Sequence, residues 1–142
     1  MYSTSLVVRT LGFAGLIPFV APAVLMLGGS KYANKAYDIA QLYALAIICF
    51  LCGTWWGFSL GNHRQYPIIL SNACLLLACF VFVLAPGWWP LAAPLILLGI
   101  CVIELNQAIF PQLTFSYRRL RAVLTLIATS AMLLALLLQK IS

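Results

Sequence analysis

Residues 43–64 read YALAIICFLCGTWWGFSLGNHR, an apolar run whose single formal charge is Arg64 at its end. A helix needs about 20 apolar residues to cross a hydrocarbon core about 30 Å thick, and this run is long enough. The whole chain has the same character. Of its 142 residues 65% are hydrophobic and 7% charged, against about 25% charged in a soluble domain. Water is therefore not its main solvent. The length leaves room for one bundle and no separate soluble domain.

Five apolar segments reach or approach spanning length: 6–27, 37–61, 68–84, 88–110 and 120–138. The expected fold is an all-α, polytopic transmembrane bundle of five membrane-spanning helices, a single integral-membrane domain over 1–142. Pro18 and Pro22 interrupt the first helix, which membrane helices tolerate when neighbours satisfy the freed carbonyls. Pro67 starts the third, Ala85-Pro86-Gly87 stops it, and Pro111 ends or kinks the fourth.

The net charge is +6, from three lysines and five arginines against Asp38 and Glu104. A nucleic-acid binder interleaves its basic residues along one polar face. Here they fall between apolar runs, so membrane lipids are the expected partners and nucleic acid is not. Five crossings put Arg9, Arg64, Arg118, Arg119 and Arg121 on one side, and Lys31, Lys35 and Lys140 on the other. The basic excess favours a cytoplasmic N-terminus and an outside C-terminus. Arg9, an apolar run and Ala21-Pro22-Ala23 make a passable signal-peptide pattern. The apolar run continues past it to Leu27, so a first transmembrane helix is expected. The lack of an amphipathic, Arg/Ser-rich leader argues against a mitochondrial import precursor, and a bacterial inner membrane is the expected location.

Cys49, Cys52, Cys74, Cys79 and Cys101 all lie in apolar runs, and five thiols cannot all pair within one chain. Cys49-x-x-Cys52 has redox or metal spacing but no second ligand pair, so the cysteines read as small packing residues. No metal site and no cofactor is expected.

Gly53, Gly57 and Gly61 recur every fourth residue, a slowly drifting row on one helix face. Small residues let helix backbones approach. The favoured reading packs this row inside the bundle, against Gly12/Gly15 or Ala131/Ala135. The other is a homo-oligomer contact.

Three runs resemble the DUF3429 family of transmembrane protein 69-like membrane proteins. Leu11-Gly12-Phe13-Ala14-Gly15-Leu16-Ile17-Pro18-Phe19 is similar to its opening "LG-aGLiPF" run. Tyr43 with Phe50-Leu51-Cys52-Gly53-Thr54-Trp55-Trp56-Gly57 resembles its "YgA-ilsFlgG-hWG" segment. Tyr117-Arg118-Arg119-Leu120-Arg121 with Leu124-Thr125 is similar to its "YRRLR…LT" start of the last helix. The sequence departs in carrying Cys52 where a glycine is usual and Trp55 where a smaller or polar residue is common. The resemblance implies a multi-helix membrane protein and brings no catalytic or binding assignment.

Glu104 is the one acid inside an apolar run. A charge near mid-membrane costs at least ~2.5–3.5 kcal/mol on insertion scales and needs a partner, a proton, water or a ligand. Counted back from Phe110, it is expected ~9 Å inside the inner end of its helix. Arg118, Arg121, Arg64 or His63 can then reach it. Trp56, Ser59 and His63 share a face of the second helix. Ser71, Asn72, Gln107 and Thr125 fall at a similar depth. The expectation is a cytoplasm-facing polar cavity around Glu104, rimmed by arginines, with Trp56 inside it and Trp55 an interface anchor. The bland alternative is an ion pair clamping two helices.

One histidine and two acids exclude most acid–base pairs and triads; a lipid enzyme working through Glu104 and His63 is the remaining catalytic option, and an enzyme is not expected. The preferred role is a small lipid- or ligand-binding or accessory component, with a possible homo-oligomer or membrane-protein partner. The alternative is a minimal channel or carrier that handles an ion, proton or small anion through Glu104.

Overall fold

The computed structural model describes residues 4–61, 65–106, 109–111 and 113–141. Within them all regular structure is helical: α1 (Thr4–Ala14), α2 (Ile17–Leu27), α3 (Ala33–Leu60), α4 (Tyr66–Leu84), α5 (Trp89–Leu105) and α6 (Phe115–Ile141).

The first apolar segment is broken rather than continuous. Pro18 sits in the first turn of α2 and has no N–H to return to Ala14, so the ladder cannot run through. The chain turns at Gly15 and Leu16, where the Leu16 amide bonds Phe13 three residues back at 3.0 Å. The other end of α2 closes on Gly29, whose φ of 64° is left-handed. That turn lets the Ser30 amide reach the Leu25 carbonyl at 2.9 Å and the Gly29 amide reach Met26 at 3.1 Å. This pair of bonds satisfies helix-end carbonyls.

Helix α3 begins four residues before its expected start at 37 and spans about 42 Å at 1.5 Å per residue. Its buried stripe is Ala40, Ala44, Ile48, Leu51, Cys52, Trp55 and Ser59, the three-and-four spacing of one helix face. Around the bundle α2, α3, α4, α5 and α6 each pack on the next, α6 returns to α2, and α3 meets α5 across the centre. The core brings together Phe19, Ile48, Trp55, Leu97, Ile100, Phe110 and Met132. At the opposite end Tyr37 packs with Ala23 and Ala135, and the Trp89 indole donates to the Gln41 carbonyl at 3.1 Å.

The outer surface is apolar. Leu27, Leu76 and Val83 are each about two-thirds exposed or more. Contiguous apolar exposure on this scale marks a lipid-facing surface rather than a water-facing one. Four segments are long and apolar enough to span, counting Leu6–Leu27 as one; α5, at 17 residues, is a shorter fifth. It stops at Leu105, where Asn106 adopts an extended backbone, five residues before the expected end. Helix α6 begins five residues before its expected start at 120. The connection turns inward, and Phe110 is fully buried between Trp55 and Phe58.

Candidate functional site: an ion-paired cluster beside an apolar cavity

The early end of α5 places Glu104 in that helix's last turn, not well inside it as counted from Phe110. A helix C-terminus carries partial negative charge and unpaired carbonyls, so it favours cations. An acid there deepens the demand, and two arginines from the first turns of α6 meet it.

Arg121 takes the carboxylate. Its Nε donates to Glu104 Oε2 at 2.8 Å and its Nη2 to Oε1 at 2.6 Å. The planar fork of guanidinium matches a carboxylate in this two-bond geometry. Trp55 adds a third donor, Nε1 to Oε1 at 2.9 Å. Glu104 is thus buried but satisfied, and it ties α3, α5 and α6 together.

Arg118 was one of four basic residues expected within reach of Glu104. Instead it serves the backbone. Its Nη1 donates to Leu105 O at 2.9 Å, its Nε to Leu113 O at 3.0 Å, and its Nη2 to Phe110 O. These carbonyls lie where the chain leaves α5 and re-enters α6. Unpaired in an apolar setting, each would cost several kcal/mol. An arginine is suited to this because its five N–H donors diverge from one rigid plane.

The burial of the two tryptophans is the reverse of that expected. Trp55 is fully buried on Glu104 and Phe110, while Trp56 is 42% exposed on the outer face. Successive helical residues point about 100° apart, and the inward stripe takes the first of the pair. Asn72 is also exposed, its amide returning to the Ile68 carbonyl at 3.1 Å. Ser59 and Ser71 are buried. His63, Arg64 and Gln107 lie outside the described residues.

The glycine row is a further correction. A methyl group added at Gly53 or Gly57 would meet nothing within 4 Å, and at Gly61 only the Gly57 carbonyl of its own helix. The row faces outward and packs nothing in this bundle. Gly12 and Gly15 do sit in close contacts. A Cβ on Gly12 would come 2.8 Å from Leu124, and one on Gly15 3.4 Å from the Tyr43 hydroxyl.

Those two glycines line a cavity of about 450 Å³ between α1, α2, α3, α5 and α6. Most of its wall is apolar: Leu11, Leu16, Phe19, Ile47, Leu97 and Leu124 among others. Its polar groups are Tyr43, Tyr117, Thr125 and Arg121. The cavity therefore lies beside the ion pair rather than around Glu104. Arg121 is the shared residue, paired to Glu104 and facing the cavity wall. Sequence reasoning missed Trp55, Tyr43 and Tyr117. The signal for Trp55 was the need of a buried carboxylate for N–H donors, which an indole on the inward stripe supplies. Among the described residues, no cluster of metal-ligating side chains is found and the five cysteines are free.

No solved structure matches the chain. Vertebrate proteins do, two of them as follows. The chain is 30% identical to Transmembrane protein 69 of Xenopus tropicalis over 125 residues, covering 83% of this chain and 49% of that protein. It is 27% identical to Transmembrane protein 69 of Mus musculus over 133 residues, covering 90% of this chain and 54% of that protein. The chain thus spans about half the length of the curated relatives it matches. The family model described as protein of unknown function DUF3429 matches residues 5–137, nearly the whole bundle, and the chain belongs to that family of membrane proteins.

Proposed function

We propose that this protein is a non-catalytic membrane component that holds one lipid-like molecule in the cavity beside Arg121. The cavity itself carries this reading. Its ~450 Å³ falls within the ~300–1,000 Å³ of small-molecule sites, which are mostly apolar with a few placed polar groups. That volume and its apolar wall suit a single chain or ring system with a small polar head. The alternative, an ion or proton carrier working through Glu104, gains little from the geometry, because three donors already occupy that carboxylate.

In this reading the basic side of the bundle, with Arg118 and Arg121, faces the cytoplasm of a bacterial cell. The test is native mass spectrometry of the protein extracted gently in its own lipid. A retained single-chain molecule, lost in Thr125→Phe, is the expected result. A folded wild-type protein that carries nothing and takes up no added single-chain lipid would overturn the reading.

A further inference from the structure

We infer that the cavity selects a single-chain amphiphile with an uncharged, hydrogen-bonding head and discriminates against the matching anion. The inference rests on the cavity reading above and adds the charge of the ligand. Arginine near a lipid-accessible cavity ordinarily suggests an anionic headgroup. Here the cation is already cancelled. Glu104 holds Arg121 by two bonds of 2.8 and 2.6 Å, so the pair presents no net charge to a ligand. Two of five guanidinium donors are used in this pairing, and the remaining ones can serve a ligand oxygen. Tyr43, Tyr117 and Thr125 on the same walls supply hydroxyls that both donate and accept.

Among the described residues, no second cation lines the cavity. Arg118 is spent on the carbonyls of Leu105, Phe110 and Leu113. Arg9 and Arg119 are exposed on the outer faces of α1 and α6, where solvent and headgroups screen them. A carboxylate ligand would bring a second negative charge toward Glu104 across one guanidinium, in surroundings of low polarity where like charges repel strongly. A carbonyl or hydroxyl head meets the same donors without that repulsion.

Lauramide and laurate test this directly, because they share chain, size and shape and differ in charge. Both are titrated into the protein in nanodiscs, at a pH where laurate is ionised, and occupancy is read by native mass spectrometry. Wild type should prefer lauramide by about tenfold or more, roughly the 1.4 kcal/mol equivalence of one decade. Glu104→Gln, which frees the guanidinium charge, should shift the ratio toward laurate by a similar factor. Equal binding of the two ligands by wild type, or a preference for laurate, overturns the inference while leaving the cavity reading intact. Binding of neither overturns both. If Glu104→Gln does not fold, the wild-type ratio alone decides. A folded Glu104→Gln protein with the wild-type ratio refutes the role given to Glu104.

Discussion

Glu104 is stabilised by specific partners, and each has a distinct cost of removal. Deleting its carboxylate in Glu104→Ala strands the Arg121 guanidinium, and losing one half of a buried pair costs ~3–5 kcal/mol. Trp55→Phe loses one donor to a charged acceptor, at ~1.5–3 kcal/mol, and leaves a void where the larger, fully buried indole sat, which adds to the cost. Both variants should lower the unfolding midpoint in mixed micelles. If Glu104→Ala unfolds at the wild-type denaturant midpoint, the pair contributes nothing to stability. The exposed neighbour supplies the control: Trp56→Phe should stay within about 0.5 kcal/mol of wild type, since surface substitutions away from special features rarely exceed that. The sequence marked Glu104 and Arg121 as reactive to one another by charge alone. It could not separate Arg121 from Arg118, three residues apart on one helix, because which guanidinium meets the acid depends on how α6 is rotated against α5.

At the scale of elements, the junction from α5 to α6 is the least regular part of the bundle and the most dependent on one side chain. Arg118→Lys retains the charge but replaces three divergent bonds with a single ammonium. It should destabilise the protein and raise hydrogen exchange at the amides of Leu113 and Arg118 relative to those within α3. Unchanged exchange there would show that the junction holds without the guanidinium. The glycines give the opposite contrast. Gly57→Ala adds a methyl into open space and removes a flexible helix residue, so stability should hold or rise by up to ~1 kcal/mol. A marked loss would reveal a contact that one copy of the chain does not contain. The repeat of four was plain in the sequence. Its direction was not, because a row on a helix can face a partner helix or lipid with the same spacing.

For the whole molecule, the apolar exterior is the property that answers to the membrane. Leu76 is 70% exposed on α4 and would tolerate arginine in a water-soluble protein. In a bilayer Leu76→Arg should cost about 3–4 kcal/mol on insertion, since arginine's penalty replaces leucine's favourable contribution, and lower the membrane-integrated fraction of the protein, read by carbonate extraction. Full integration of that variant would mean that this face of α4 is covered by protein or water. What the sequence determined by itself is the class of object. Long apolar runs with few charges, the basic residues gathered near their ends, specify spanning helices, because backbone polar groups in hydrocarbon have to be satisfied within the helix. The prolines and glycines marked breaks and turns to within a few residues, except where the α5–α6 connection folds inward. Only the tertiary structure decided which side of each helix is the inside. Trp55 rather than Trp56, Arg121 rather than Arg118 on Glu104, a glycine row turned outward and a cavity beside Gly12 and Gly15 all follow from helix rotation. Rotation is set by side-chain contacts between segments far apart in the chain. In a helix apolar on every face, hydropathy does not mark which face is buried.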